Sequence, residues 1–290
     1  MTVIAAPVPR VSAREGVGVI LLASVLFGTM ALFVRLAARE MAPVQITFVR
    51  FVGSFAILMA MTRGRGLVAR RGTARPLVVR GLIGAAAISL YFVGIAGAGA
   101  GLATLLQNGY PVFAASFAAL LLGEAFSGKL VAALALNLVG IGLVLGPEAR
   151  LHPSATLGAL AACGSALLSG GAVVAARHLR RTEGATVITT WFMAIGMLVT
   201  APALALGLPP LTPPLVLALA GVIVTSVAGQ WLLHHGLGFI PVARGSIMAA
   251  TSVVTAATLE AAVLGQRLGP HVLVGACCMI AAVALSADRG

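Results

Sequence analysis

Long hydrophobic runs follow one another along almost the whole chain, separated by short polar connections. A helix that crosses a bilayer needs about 20 apolar residues, and its backbone groups must bond one another because hydrocarbon offers no partner. The runs are continuous rather than alternating, which is typical of membrane helices and not of membrane β-strands. The pattern therefore predicts ten transmembrane helices, spans one to ten. They cover residues 17–36, 43–62, 77–97, 102–122, 130–146, 157–176, 185–207, 215–235, 241–264 and 271–286.

The composition supports a lipid environment for these helices. Sixty per cent of the residues are hydrophobic, 9% are charged and the mean hydropathy is +1.09, whereas soluble domains carry about 25% charged residues. The net charge of +12 does not indicate nucleic-acid binding, because no basic segment is long enough to form a water-soluble surface. Cys163, Cys277 and Cys278 lie in apolar runs and are expected to be reduced. We expect an all-α polytopic membrane protein.

The distribution of positive charge predicts the orientation of the spans. If the N-terminus is cytoplasmic, most basic residues fall on the cytoplasmic side: Arg10, Arg14, Arg63, Arg65, Arg70, Arg71, Arg75, Arg80, Lys129, Arg177, Arg180, Arg181, Arg244 and Arg289. The opposite side receives only Arg35, Arg39, Arg150 and Arg267. This bias follows the positive-inside rule, so both termini are expected in the cytoplasm and the protein in a bacterial-type inner membrane.

A weak internal repeat divides the chain into two halves. A shift of 142 residues places Gly28 on Gly170 and Arg35 on Arg177, and the ends of the hydrophobic runs coincide. Each half holds five spans, and an odd number reverses the direction of the second half across the membrane. The sequence therefore predicts a 5+5 inverted repeat, an arrangement found in carriers that bind their substrate near the midplane. The expected parts are a cytoplasmic tail (1–15), a first repeat (16–147), a linker (148–156), a second repeat (157–287) and a cytoplasmic tail (288–290).

Two segments carry a family resemblance. Span four contains PVFAASFAALLLGEAFS, from Pro111 to Ser127, and span two contains FVRFVGSFAIL, which includes Arg50. The spacing from proline to Gly-Glu and the arginine in span two resemble the EamA family of the drug/metabolite transporter superfamily, with YddG-type aromatic amino-acid exporters as the nearest likeness. The second repeat departs from this pattern, with Val253 in place of Pro111 and Gln266 in place of Glu124. The resemblance implies export of metabolites or amino acids, with spans three, four, eight and nine around the cavity.

Span four contains the first group of candidate binding residues. Pro111 removes one helical hydrogen bond and disfavours a straight helix near the middle of the span. Gln107 and Asn108 add amides at the same depth, and Tyr110 is adjacent. One interpretation is a kinked helix that lines a polar cavity. The other is that the amides bond neighbouring helices, which is common in membranes.

Two charges lie within spans. Arg50 is close to the centre of span two, where it could bind a substrate carboxylate or serve as a structural residue bonded to neighbouring groups. Glu260 in span nine could couple transport to protons or form a structural ion pair. Ser252 precedes Glu260 by eight residues and shares roughly one helix face with it. Arg50 is the only basic residue expected deep in the membrane, which argues against phosphorylated solutes.

The end of span eight contains Gln230, Trp231, His234 and His235. An aromatic ring beside polar groups could hold an amino acid, although tryptophan is also common at membrane interfaces. Adjacent histidines do not share a helix face, so no metal site is expected. Trp191 and Tyr91 are further candidates for the cavity.

We therefore expect a carrier that exports small organic solutes, such as neutral or aromatic amino acids, by alternating access. Alternatives are a carrier for another class of metabolite (a nucleoside, drug or lipid-linked solute) and a membrane-embedded enzyme. The enzyme is disfavoured because the sequence lacks the H-E-x-x-H and G-x-S-x-G motifs. No cofactor and no catalytic residue are expected. The expected partners are the bilayer and a small-molecule substrate, with the protein as a monomer or homodimer.

Overall fold

The structure is a computed structural model and describes residues 13–98, 106–123, 127–145, 156–264 and 270–287. In these ranges the chain forms α-helices and two short 3-10 helices, and no strand. The 3-10 helices are Arg65–Leu67 and Ala201–Leu206. The α-helices are α1 (Ala13–Ala37), α2 (Pro43–Met61), α3 (Ala74–Ala98), α4 (Tyr110–Leu122), α5 (Gly128–Leu145), α6 (Thr156–Leu179), α7 (Ala185–Thr200), α8 (Pro213–Gly236), α9 (Val242–Ala250), α10 (Ser252–Leu264) and α11 (Pro270–Ala287).

Within the described residues, ten apolar helical segments match the ten predicted spans. Six are long and apolar enough to cross a membrane, and four are shorter: Tyr110–Leu122, Gly128–Gly140, Val242–Ala256 and Leu273–Ala282. Large hydrophobic side chains cover the outer surface, including Leu120, which is 80% exposed, and Leu217, which is 71% exposed. Such a surface is suited to contact with lipid. The prediction of an all-α polytopic membrane protein is confirmed.

The prediction of one continuous helix in span four was wrong, and so was that for span nine. In span four a turn at Asn108 and Gly109 precedes α4, so Pro111 lies in the first turn of α4 and not in the interior of a kinked helix. Proline is favoured at this position because the missing N–H has no helical acceptor there. In span nine a turn at Thr251 separates α9 from α10. Both spans are therefore discontinuous near their middles.

The two breaks occupy equivalent positions in the two repeats. In the first, the Gly109 amide donates to the Leu106 carbonyl at 3.1 Å, and the Val112 amide donates to the Gly109 carbonyl at 3.1 Å. The same bonds, 142 residues later, link Thr251 to Met248 at 3.2 Å and Val254 to Thr251 at 3.0 Å. The second break forms without a proline, so the repeated fold and not one residue type determines it.

Span seven covers Ala185–Leu206, which agrees with the predicted range of 185–207 to within one residue. Its last part is not α-helical: α7 stops at Thr200, and a 3-10 helix over Ala201–Leu206 follows. Pro202 lacks the amide hydrogen that an α-helix would use there, which favours the change. Gly207 then ends the segment with a φ of 71°, a conformation that glycine adopts without strain.

Helix packing follows the inverted repeat. The contact of α3 with α6 corresponds to that of α8 with α1, and the contact of α3 with α7 corresponds to that of α8 with α2. Small residues allow these close approaches. Gly53 packs against Ile223. The 142-residue shift relates Gly53 to Ile195 and Gly81 to Ile223, and Ile195 packs against Gly81 in the same way. Equivalent positions therefore make equivalent contacts even where the residues differ, which confirms the predicted 5+5 inverted repeat.

The α2–α3 and α6–α7 connections lie at one end of the bundle, which we call the arginine-rich end because these connections carry Arg63, Arg65, Arg70, Arg71, Arg180 and Arg181. A carboxylate joins the two connections: Glu183 accepts hydrogen bonds from the Arg70 amide at 2.7 Å and from the Thr73 hydroxyl. At the opposite end, the Thr212 hydroxyl donates to the Glu40 carboxylate. Within the described residues, a carboxylate at each end of the bundle thus links connections of the two repeats.

Candidate functional site

The candidate site is a buried polar network between the repeats, close to the arginine-rich end. Arg80 was counted with the basic residues of the cytoplasmic connection before span three, although it falls within the predicted range of 77–97, and its assignment to the connection was wrong. α3 begins at Ala74, which places Arg80 inside the helix, where it is 4% exposed. Its Nη2 lies 3.0 Å from Nε2 of His234 in α8. The two helices belong to different repeats, so this hydrogen bond crosses the seam between them.

His234 is the centre of the network and is fully buried. The Thr189 hydroxyl donates its hydrogen to the Ala185 carbonyl at 2.7 Å, so it accepts from His234 Nδ1 at 2.8 Å. Nε2 of His234 therefore carries the lone pair and accepts from Arg80 and from Gln230 Nε2, which lies 3.1 Å away. This pattern assigns a neutral imidazole with its proton on Nδ1.

The Arg80 guanidinium has donors without partners in the described part of the chain. Its Nε and Nη1 are buried and make no hydrogen bond. The guanidinium carbon lies 4.2 Å from the centre of the Phe192 ring, which provides a cation–π contact. Sequence reasoning missed Arg80 as a site residue, because a basic residue at the predicted start of a span is normally part of a solvated connection.

Arg50 has a different environment. It is 7% exposed, and its Nε donates to the Ser226 hydroxyl of α8 at 2.6 Å. Its guanidinium carbon lies 5.3 Å from the ring centre of Phe51, and that ring meets Phe192 edge-on at 5.3 Å. These contacts favour the structural interpretation of Arg50, because they join α2 to α8 and α7.

Residues beside the two helix breaks contact the opposite repeat or a neighbouring helix. Gln107 Nε2 donates to the Ser169 hydroxyl at 3.3 Å, and the Tyr110 hydroxyl donates to the Ser246 carbonyl at 3.1 Å. Asn108 is buried. The bond from Tyr110 joins α4 to α9 and thus the first repeat to the second.

The break in span nine has a contact of its own with the first repeat. The hydroxyl of Ser24 in α1 lies 2.7 Å from the hydroxyl of Thr251, the residue at the break. The same Ser24 hydroxyl reaches the Ala249 carbonyl at 3.4 Å. Hydrogen bonds thus join each break to another helix, and the freed backbone near the breaks is partly satisfied by side chains.

The aromatic candidates separate into two places. Trp231 donates through Nε1 to the Thr186 hydroxyl at 2.9 Å and stacks on His235 with ring centres 5.1 Å apart. Trp191 donates to the Leu67 carbonyl at 3.1 Å and lines an apolar cavity of about 570 Å³ between α3 and α7. The lining of this cavity includes none of the His234 network.

The remaining candidates lie elsewhere in the fold. Tyr91 is partly buried on α3, and Ser252 is the first residue of α10 and is partly buried. Glu260 is within α10, but its side chain lies outside the described residues. The structure therefore brings together Gln230 and His234 in one network. Among the described residues, His, Cys, Asp and Glu form no group of three that could hold a metal ion.

The geometry defines a class of protein: a multi-pass membrane protein with an inverted repeat, two discontinuous helices and a buried polar seam, which are features of secondary transporters. The sequence profile of the EamA-like transporter family matches the chain twice, over residues 14–146 and 156–287. The chain therefore belongs to the EamA-like transporter family, and it is classed with membrane transporters of small molecules and not with enzymes.

Individual relatives agree with this assignment. The pseudopaline exporter CntI from two Pseudomonas aeruginosa strains is 30% identical over 190 residues, which cover 65% of this chain and 66% of the exporter. An uncharacterized transporter from Archaeoglobus fulgidus is 26% identical over 287 residues, covering 94% of this chain and 96% of its own length. A crystal structure of another protein has the same fold, with a TM-score of 0.82 at 21% identity, over 94% of this chain and 96% of that one.

Proposed function

We propose that the protein is a secondary carrier that exports small organic solutes across the cytoplasmic membrane by alternating access. Neutral or aromatic amino acids are the proposed substrate class. The two repeats, 16–147 and 157–287, are the units that change their relative position, and both termini are cytoplasmic. The pair of equivalent helix breaks is the observation that carries this proposal.

The breaks support alternating access for a mechanical reason. A continuous helix transmits a tilt along its whole length, whereas a helix broken at mid-depth allows its two pieces to tilt separately. Carriers built from inverted repeats bind solutes at such discontinuous helices. Here the turn at Asn108 and Gly109 and the turn at Thr251 lie in equivalent spans of opposite direction. Exchange of their conformations would convert one open state into the other.

The contacts between the repeats, from mid-depth to the arginine-rich end, support a state that is closed at that end. α4 and α9 are joined by the bond from Tyr110 to Ser246, and α3 and α8 by the bond from Arg80 to His234. A continuous hydrophobic cluster between helices of both repeats surrounds these bonds and includes Ala114, Leu233 and Met248. Opening at this end would require both bonds to break.

The direction and location of transport are supported by two observations of different kinds. The excess of arginine at one end of the bundle favours that end as the cytoplasmic one. A relative that matches 65% of the chain is named as an exporter. The polar and aromatic residues at the end of α8, with Trp231 stacked on His235, support an amino acid over a purely apolar solute.

The test is flux into or out of proteoliposomes that contain the purified protein. L-phenylalanine, L-leucine and uridine are the probes, each measured with and without a pH gradient. We expect movement of at least one amino acid above protein-free vesicles, with acceleration by the gradient if transport is coupled to protons. If only uridine moves, nucleosides would replace amino acids as the substrate class. If no probe moves, the proposed function is contradicted.

A further inference from the structure

We propose that Arg80 binds the carboxylate of the transported solute and that His234 positions it. This inference rests on the proposed function and adds the chemical group that the carrier recognises: a single negative charge. It begins from a positive side chain that is buried without a negative partner.

Arg80 lacks a counter-ion in the described part of the chain. Its contacts there are the neutral imidazole of His234 and the face of the Phe192 ring. A guanidinium has five N–H donors. The three N–H donors on Nε and Nη1 have no acceptor, although only 4% of Arg80 is exposed. Charges within membrane helices are costly, and they mark binding sites or ion pathways when they are retained.

The position of Arg80 is suited to a transported solute. Arg80 is on α3 of the first repeat, and the side chain that orients it is on α8 of the second repeat. A solute that passes between the repeats must pass this seam. Since α3 rises about 1.5 Å per residue, Arg80 lies roughly 9 Å from the start of the helix, inside the bundle and close to the end that must open.

His234 acts as a positioning residue in this arrangement. Its Nδ1 is held by Thr189, and its Nε2 accepts from Nη2 of Arg80. The imidazole therefore fixes one amino group of the guanidinium and supplies no negative charge. The remaining N–H groups stay available for an oxyanion, for which arginine is a strong ligand.

The charge balance favours a carboxylate over a phosphate. Arg80 supplies one positive charge, which matches a monoanion. Arg180 has one buried donor without a partner, its Nε, but it lies in the α6–α7 connection and is partly exposed, and its Nη1 donates to the Glu183 carbonyl at 2.6 Å. Arg50 has a separate environment on α2, with its Nε bonded to Ser226 and its guanidinium carbon 5.3 Å from the centre of the Phe51 ring.

The experiment compares L-phenylalanine with phenethylamine, which has the same ring and amine but no carboxylate. Flux in proteoliposomes is measured for the wild type, Arg80→Gln, Arg80→Lys and Arg75→Gln. Arg75 is the control, because it is an exposed arginine on the same helix. We expect the wild type to transport L-phenylalanine at least tenfold faster than phenethylamine. Arg80→Gln should remove at least nine tenths of L-phenylalanine transport, and Arg75→Gln should leave it within about twofold of the wild type.

Arg80→Lys covers the case in which Arg80→Gln does not fold. It keeps the charge but loses the planar set of donors, so the KM for L-phenylalanine should rise several-fold while the protein remains folded. If the wild type transports L-phenylalanine and Arg80→Gln or Arg80→Lys does so equally well, the assignment of Arg80 is wrong and the proposed function stands. Equal transport of phenethylamine by the wild type would also overturn it. If the wild type transports no amino acid, the proposed substrate class and the assignment of Arg80 both fail.

Discussion

Arg50 and Arg80 are both buried, but hydrogen bonding gives them different roles. Arg50 Nε has an acceptor in Ser226, whereas the Nε and Nη1 of Arg80 have none. A buried donor that loses its only acceptor retains its desolvation cost. Ser226 should therefore contribute to stability through Arg50, and Arg80 should contribute to solute binding.

Ser226→Ala should destabilise the protein, because it leaves the Nε of Arg50 without an acceptor. The expected loss is about 1 to 2 kcal/mol, near the upper part of the range for bonds between membrane helices. Ser54→Ala is the matched control, since the Ser54 hydroxyl is buried on α2 without a partner. Its removal should be neutral or slightly stabilising. Thermal unfolding in detergent measures both variants, and equal effects would contradict the role given to Ser226.

At the level of single residues, the sequence predicted the candidates that are unusual for a membrane span. Gln230 and His234 stood out as polar residues in an apolar run, and the structure places both in one network. Arg80 and Thr189 did not stand out. Thr189 resembles the threonines that satisfy a carbonyl of their own helix, and Arg80 resembles a connection residue. Only the approach of α3 to α8 reveals their shared role, and this approach is a tertiary property.

At the level of helices, close packing of α1 and α6 on the broken spans is a second feature that the repeats share. A Cβ atom on Gly28 would lie 2.5 Å from Thr255 Cβ, and one on Gly170 would lie 2.7 Å from Phe113 Cβ. These four positions correspond under the 142-residue shift. Glycine is required at both because the helix backbones approach closely there.

Gly28→Ala should therefore force α1 and α10 apart. The added methyl group would also lie 2.7 Å from the Ser252 carbonyl, a backbone atom that cannot rotate away. Overpacking of this kind costs about 1 to 3 kcal/mol. Gly18→Ala on the same helix is the control, because no atom lies within 4 Å of its added Cβ. Lower thermal stability of Gly28→Ala alone is the expected result, and unchanged stability would contradict the close contact.

Pro111→Ala should leave the break in span four intact. The equivalent break at Thr251 forms with Val253 in the proline position, so proline is not needed to end the preceding helical piece. Transport of the best probe in proteoliposomes should stay within about threefold of the wild type. A loss of transport in a variant that folds normally would indicate that Pro111 itself is required.

The sequence predicted the existence and order of the helices, but not where they are interrupted. Hydrophobic runs specify that a segment lies in the membrane, and the run over 241–264 continues through Thr251 without any change in character. Its break depends on contacts with other helices, such as the bond between Ser24 and Thr251. The change from α-helix to 3-10 helix after Thr200 has a local cause in Pro202, which lacks an amide hydrogen.

At the level of the whole molecule, the inverted repeat and the arginine distribution together make a prediction about orientation. In a variant with all three native cysteines replaced, Arg71→Cys lies in the α2–α3 connection and Leu208→Cys in the α7–α8 connection, at opposite ends of the bundle. Both positions are exposed. A membrane-impermeant thiol reagent added to intact cells should label Leu208→Cys and spare Arg71→Cys. The reverse labelling would invert the proposed topology.

The bond between Arg80 and His234 also has a consequence for the synthesis of the protein. The part of α3 that contains Arg80 is the least hydrophobic of the six long spans. An arginine at the centre of a helix raises the free energy of membrane insertion by about 2.5 to 3.5 kcal/mol. The ribosome produces His234 more than 150 residues after Arg80, since the two positions are 154 residues apart. During this interval α3 must enter the bilayer without its partner, with the guanidinium directed toward the nearby headgroups. We therefore expect the contacts of Arg80 to be completed only after α8 has been synthesised.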